Sequence, residues 1–148
     1  MSRIAFHGPV GRRGLENEGS VAATKAALAG KHVLVVEDEF LVAIDIEAEL
    51  HERGARVTCA GTLPIAEACA KREQFDAAIL DVNLHGKTSY PVADYLRQNQ
   101  IPFVFHTGQG EKRTLAERYP GVEVCNKPCD GTALVSILGR VIAGDETA

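Results

Sequence analysis

VLVVEDE, residues 33–39, runs four apolar side chains straight into three carboxylates. An apolar run this short and continuous reads as a strand covered on both faces, because an exposed face would show alternation. The carboxylates behind it pose a chemical question. Two like charges about 4 Å apart repel by ~1 kcal/mol in water and by ~4 kcal/mol at an effective dielectric of about 20, so a convergent acidic cluster either splays into solvent or holds a cation. Further along, AAIL (77–80) and FVF (103–105) are equally solid, whereas RVTC (56–59) and VEVC (122–125) alternate. Helical patterns separate these runs, as repeated βα units and a parallel sheet require. Strands are expected near 32–37, 55–60, 76–81, 101–106 and 121–125, with helices at 39–53, 63–72, 88–99, 110–118 and 131–143. Thr62 ahead of Pro64, and Pro91 in a first turn, mark two of the helix starts.

Strands two and five alternate and therefore belong at the edges. That gives an α/β, doubly wound, five-stranded parallel sheet of flavodoxin-like order 2-1-3-4-5 with five helices. Ligands of such sheets sit beyond the carboxyl ends of the strands, at the crevice between strands one and three.

With 148 residues, 45% of them hydrophobic, the chain has material for one domain with a real core. We place that domain at 31–143, with 144–148 as a tail. Residues 1–30 are glycine-rich and then alanine-rich (SVAATKAALAG), with no apolar stripe that demands burial, and are expected to form a flexible extension. Whether they drive self-association into a homodimer is left open. No apolar run approaches the ~20 residues of a membrane span and the start lacks a signal-peptide core, so a cytoplasmic protein without membrane contact is expected. The net charge is −4, and Lys71-Arg72 and Lys112-Arg113 are isolated basic pairs, which argues against nucleic-acid binding. Cys59, Cys69, Cys125 and Cys129 lack zinc-site spacing and are expected to be small buried thiols.

The strand ends gather the chemistry. Strand one ends in Glu37, Asp38 and Glu39, strand three in Asp81, strand four in Thr107, and strand five leads to Lys127. Taken singly, each has an ordinary reading: an aspartate or threonine as a turn former, a lysine as a solvated charge. Together, four elements far apart in sequence deliver carboxylates, a hydroxyl and an ammonium to one rim, an agreement that independent surface residues have no reason to show. Hard oxygen ligands with few protein anchors suit Mg²⁺.

In these motifs the sequence resembles a response-regulator receiver domain, of the CheY-like kind used in two-component signalling, over about residues 31–143. The resemblance rests on Glu37-Asp38 after strand one, Asp81 after strand three, Thr107 after strand four and Lys127-Pro128 after strand five. It implies a single-domain response regulator whose Asp81 accepts a phosphoryl group from a sensor histidine kinase or a histidine phosphotransfer protein. Mg²⁺ would be held by Asp38, Asp81, the backbone carbonyl of Asn83, and Glu37 directly or through water. Lys127 would contact a phosphate oxygen, with the Lys-Pro peptide cis as is typical of the family. Thr107 would draw its loop inward onto the product. Such a protein is a phosphoacceptor, not an enzyme acting on external substrates. Its target is an unidentified protein, reached through the fourth helix, fifth strand and fifth helix, since only a short tail follows residue 143.

Several departures accompany the likeness. Val124 stands where many receivers carry an aromatic residue, and a valine cannot report loop movement by burying a ring. PFVFHTGQG (102–110) resembles the motif of the FAT-GUY class of single-domain receivers, with His106 and Gly110 differing. His85 is expected to be an exposed loop residue without a role, and His106 to face away from Thr107, packed or hydrogen-bonded. Cys125 and Cys129 flank Lys127, but nothing in the sequence marks either thiol as reactive. GQGEKRT lacks the spacing of a phosphate-binding loop, so no nucleotide or flavin is expected. The alternative function is a pseudo-receiver, an interaction module that works without phosphorylation. A metal-dependent phosphatase is weaker still, as no cap insertion is present.

Overall fold

The computed structural model describes residues 27–108 and 110–144. Among them the long elements alternate as β1 (His32–Val36), α1 (Phe40–Glu52), β2 (Arg56–Ala60), α2 (Leu63–Arg72) and β3 (Ala77–Leu80). After a two-stranded hairpin, β4 (Asn83–Leu84) and β5 (Lys87–Thr88), come α3 (Tyr90–Gln98), β6 (Phe103–Thr107), α4 (Lys112–Arg118), β7 (Val124–Asn126) and α5 (Gly131–Ala143). The five long strands form one sheet in the order β2-β1-β3-β6-β7, parallel throughout. This is the flavodoxin-like order expected from the two alternating strands, which do lie at the edges.

Strand periodicity divides the core. Leu34, Val36, Ala78, Leu80, Phe103 and Phe105 point to the face covered by α2, α3 and α4, where Ala66, Ala70, Val92, Leu96, Leu115 and Tyr119 meet them. Val33, Val35, Ala77, Ile79 and Val104 point to the other, where Ile46 and Leu50 of α1 and Leu134, Val135 and Leu138 of α5 cover them. Both faces of the central strands are dry, which is why VLVV and AAIL carry no polar residue. Helix starts follow local chemistry. The Thr62 hydroxyl accepts from the Ile65 N–H at 3.4 Å, and Asp130 Oδ1 accepts from the Ala133 N–H at 2.8 Å.

Four expectations need correction. Leu28 lies ahead of the Lys31 boundary, yet it is fully buried among Val33, Leu50 and Leu138, so the packed domain starts before residue 31. One apolar side chain sufficed, without the stripe that the sequence lacked; residues 1–26 lie outside the described residues. The segment after β3 is not a plain loop: Leu84 pairs with Lys87 across His85 (φ 51°) and Gly86 (φ 86°), a two-residue turn in which both central residues take left-handed backbone. That hairpin delays α3 to Tyr90. Lastly, only Cys69 is a buried free thiol. Cys59 is exposed, and Cys125 and Cys129 form a disulfide, because the turn after β7 brings their Cα atoms to 6.6 Å, inside bridging range. Among the described residues no helix is long and apolar enough to cross a membrane.

Candidate functional site

Each strand ends where its last backbone hydrogen bonds fix the next side chain. Glu37 donates its N–H to the Ala60 carbonyl at 3.1 Å, and Asp81 donates its own to the Val36 carbonyl at 2.8 Å, so β2, β1 and β3 hold the two carboxylates side by side. The Lys127 N–H donates to the Thr107 carbonyl at 2.7 Å, extending the β6–β7 ladder by one bond and setting Thr107 beside Lys127. The Lys127–Pro128 peptide is cis. Asp38, Asp81, Asn83, Thr107 and Lys127 line one open cavity. Glu37 lies beneath it, 4% exposed.

Lys127 Nζ donates to Asp81 Oδ2 at 3.1 Å and stands 3.5 Å from Glu37 Oε1 and 4.0 Å from Glu39 Oε1. The cation that gathers these carboxylates is therefore in the first instance a lysine. Burial works against the charge on Lys127, but its hydrogen bond to Asp81 and the surrounding carboxylates outweigh that cost and hold its pKa above the ordinary value. Glu37 also moves up, which for a carboxyl disfavours the charge. Burial, and then the charge of Asp81, raise its carboxyl to about 7.

The remaining oxygens fit a divalent ion. Glu37, Asp38 and Asp81 each offer one carboxylate oxygen, all within 4.8 Å of one another. Glu37 Oε2 accepts from the Glu39 N–H at 3.1 Å, whereas Oε1 is buried and has no hydrogen-bond partner among the described residues. A buried carboxylate oxygen with no hydrogen bond, held only by the Lys127 charge at 3.5 Å and lying beside two other hard donors, is an environment that a Mg²⁺ ion completes. Asn83 sits in β4, where its side chain accepts from the Gly86 N–H at 2.9 Å and its N–H reaches Asp81 Oδ1 at 3.4 Å.

Two residues were not expected at the site. The His85 N–H donates to Asp38 Oδ2 at 3.1 Å, and its Nδ1 lies 3.6 Å from the same oxygen, so the hairpin turn is tied to the acidic cluster. His-Gly between Leu84 and Lys87 was the available signal, weaker than the Asn-Gly of most such turns. His106 does face away from Thr107 and is packed, 3% exposed. Among the described residues neither ring nitrogen has a hydrogen-bond partner, and Nδ1 stands 3.9 Å from Glu37 Oε1. Burial, then the nearby Lys127 charge, lower its pKa and keep the ring neutral near physiological pH.

Over residues 33–138 the chain matches the family described as response regulator receiver domain. No curated protein matches it. Among solved structures, SdrG from Sphingomonas melonis Fr1 is 36% identical and superposes with a TM-score of 0.61, covering 74% of this chain and 97% of that one. The REC domain of the PhyR response regulator from Erythrobacter litoralis is 22% identical, with a TM-score of 0.68 over 82% of this chain and 96% of its own. PhyR from Bartonella quintana, an anti-anti-sigma factor solved as a mutant, is 24% identical, with a TM-score of 0.75 over 92% of this chain and 57% of its own. These last two likenesses speak to the fold alone.

Proposed function

This chain belongs to the response regulator receiver domain family, and on that premise we propose that Asp81 accepts a phosphoryl group from a phosphohistidine on a sensor histidine kinase or a histidine phosphotransfer protein. The observation that carries the reading is Lys127 Nζ at 3.1 Å from Asp81 Oδ2, inside a cluster with Glu37 and Asp38. A nucleophile, a fixed countercharge and a hard-oxygen cradle are the parts that phosphoryl transfer needs, because its catalysis is mostly positioning and charge stabilisation.

An Asp81 carboxylate oxygen forms a bond to phosphorus as the phosphorus–nitrogen bond to the donor histidine breaks. The histidine leaves with the electron pair of that bond, and Asp81 becomes an acyl phosphate. Lys127 places a compact positive charge beside the reacting oxygen. Mg²⁺, held by Glu37, Asp38, Asp81 and the Asn83 carbonyl, would supply the charge that offsets repulsion between the two anions. The Thr107 hydroxyl donates to the product phosphate and draws in the loop that follows β6. The chain catalyses its own loading and unloading and signals by contact with a protein target through α4, β7 and α5, next to Thr107.

Borohydride trapping tests the assignment, since it reduces an aspartyl phosphate to homoserine. After loading with a small acyl-phosphate donor and Mg²⁺, peptide mass mapping should find the conversion at residue 81. Conversion at another carboxylate would refute Asp81 as acceptor, and none at all in the folded, Mg²⁺-loaded protein would favour the phosphorylation-independent module.

A further inference from the structure

The disulfide between Cys125 and Cys129 encloses Asn126, Lys127 and Pro128, so the residue that pairs with Asp81 lies inside a five-residue covalent ring. Cys125 is the middle residue of the edge strand β7, opposite His106, and Asn126 is opposite Thr107. Cys129 directly precedes Asp130, which caps the first turn of α5. The bridge thus fastens the end of the sheet to the start of α5 across the Lys127 turn. Both cysteines are half-buried, packed at the edge of the α1–α5 core and still open to solvent on one side.

We propose that Cys125–Cys129 is a reversible thiol–disulfide modification site whose state sets how firmly Lys127 is held against Asp81. The inference rests on the reading of Lys127 as the countercharge to the phosphoacceptor. Its external reactant is a dithiol. A thiolate of the dithiol attacks one bridge sulfur, the S–S bond breaks, and the other cysteine leaves as a thiolate. The second thiol of the dithiol then resolves the mixed disulfide, so that two electrons and two protons end on Cys125 and Cys129 and the reagent ends as its own disulfide. Opening the ring removes the covalent limit on residues 126–128. The turn then keeps its backbone bond to Thr107 but loses its tether to the head of α5, and Lys127 Nζ spends more time away from Asp81.

The test uses the full chain with dithiothreitol as the dithiol and reads three quantities. Alkylation in denaturant followed by intact mass should count two free thiols in the oxidised protein and four once the folded protein has been treated with dithiothreitol. Acylation of Lys127 by an acetyl succinimidyl ester, scaled to the exposed Lys71 in the same sample, should speed up severalfold on reduction. Loading of Asp81 by a small acyl-phosphate donor with Mg²⁺ should slow severalfold. A protein carrying Cys125→Ser and Cys129→Ser together should match the reduced wild type in every buffer. Four free thiols under oxidising conditions, a bridge that opens only on unfolding, or Lys127 acylation that ignores the thiol state would each overturn the proposal. If acylation responds but neither state takes up phosphate, the redox site stands and the phosphoacceptor reading of Asp81 falls.

Discussion

Glu37 and Lys127 carry opposite strains of one environment. Without metal, Glu37 is raised from 4.5 to about 7, by burial first and Asp81 second. Between those values the folded chain keeps a proton that the unfolded chain has released. This group's stabilising contribution is therefore complete below pH 4.5 and is lost as pH rises through about 7. A divalent ion must displace the same proton. Mg²⁺ affinity, followed by isothermal titration calorimetry, should fall about tenfold for each pH unit below pH 7, level off above it, and lose its slope in Glu37→Gln. An affinity flat across that range in the wild type would mean that Glu37 is not protonated in the metal-free site. At this scale the site was readable where strand ends dictate it: Glu37, Asp38, Asp81, Thr107 and Lys127 stand at the carboxyl ends of strands and meet there. His106 shows what was not readable. Alternation gives its face, but not that the same face brings it within 3.9 Å of Glu37 without a hydrogen bond.

Elements decide how the site reaches its surroundings. With Val124 at the start of β7, aromatic packing along β6 is supplied instead by Tyr119 just after α4, its ring 5.3 Å from Phe105 and 6.2 Å from Phe103. The Tyr119 hydroxyl donates to Asp94 Oδ1 of α3 at 2.7 Å, and burial, then that bond, push its pKa to about 12, so it stays protonated across the working range. Tyr119→Phe should cost about 1.5–3 kcal/mol in denaturant unfolding, since it removes the hydroxyl's hydrogen bond to a carboxylate and keeps the ring. A neutral result would mean that the ring alone ties α4 to α3. On the opposite side of the site, α1 opens with Phe40 at 74% and Leu41 at 78% exposure, an apolar step next to the acidic cluster. On the proposed reading, a protein phosphodonor would meet this step on its way to Asp81. Replacing both by Ala should slow transfer from a phosphohistidine protein about tenfold while leaving loading by a small acyl phosphate unchanged; equal effects on both donors would contradict a docking role. The long elements could be read from period and caps. The hairpin after β3 could not, because strands of two residues show no periodicity and its turn pairs a histidine with the glycine.

At the scale of the molecule, the fold was legible because each level agrees: three solid strands flanked by two alternating ones, helices between them, and capping residues where helices begin. The sequence pattern failed where one residue acts alone. Leu28 completes the core beneath β1 from outside the periodic region, so Leu28→Ala should cost about 2–5 kcal/mol in unfolding free energy, the usual range for a fully buried leucine. A change below about 0.5 kcal/mol, as a surface position gives, would return the domain boundary to residue 31. The bridge of Cys125 and Cys129 was missed for a related reason, since a spacing of four outside any recognised framework carries no signal until the turn after β7 is folded. Mg²⁺-dependent phosphorylation of Asp81 can be read from intact mass after incubation with a small acyl-phosphate donor. We predict the gain of one phosphoryl group in the wild type with Mg²⁺, and none without Mg²⁺ or in Asp81→Asn. An equal gain in Asp81→Asn, or no gain by a folded, Mg²⁺-loaded wild type, would contradict it.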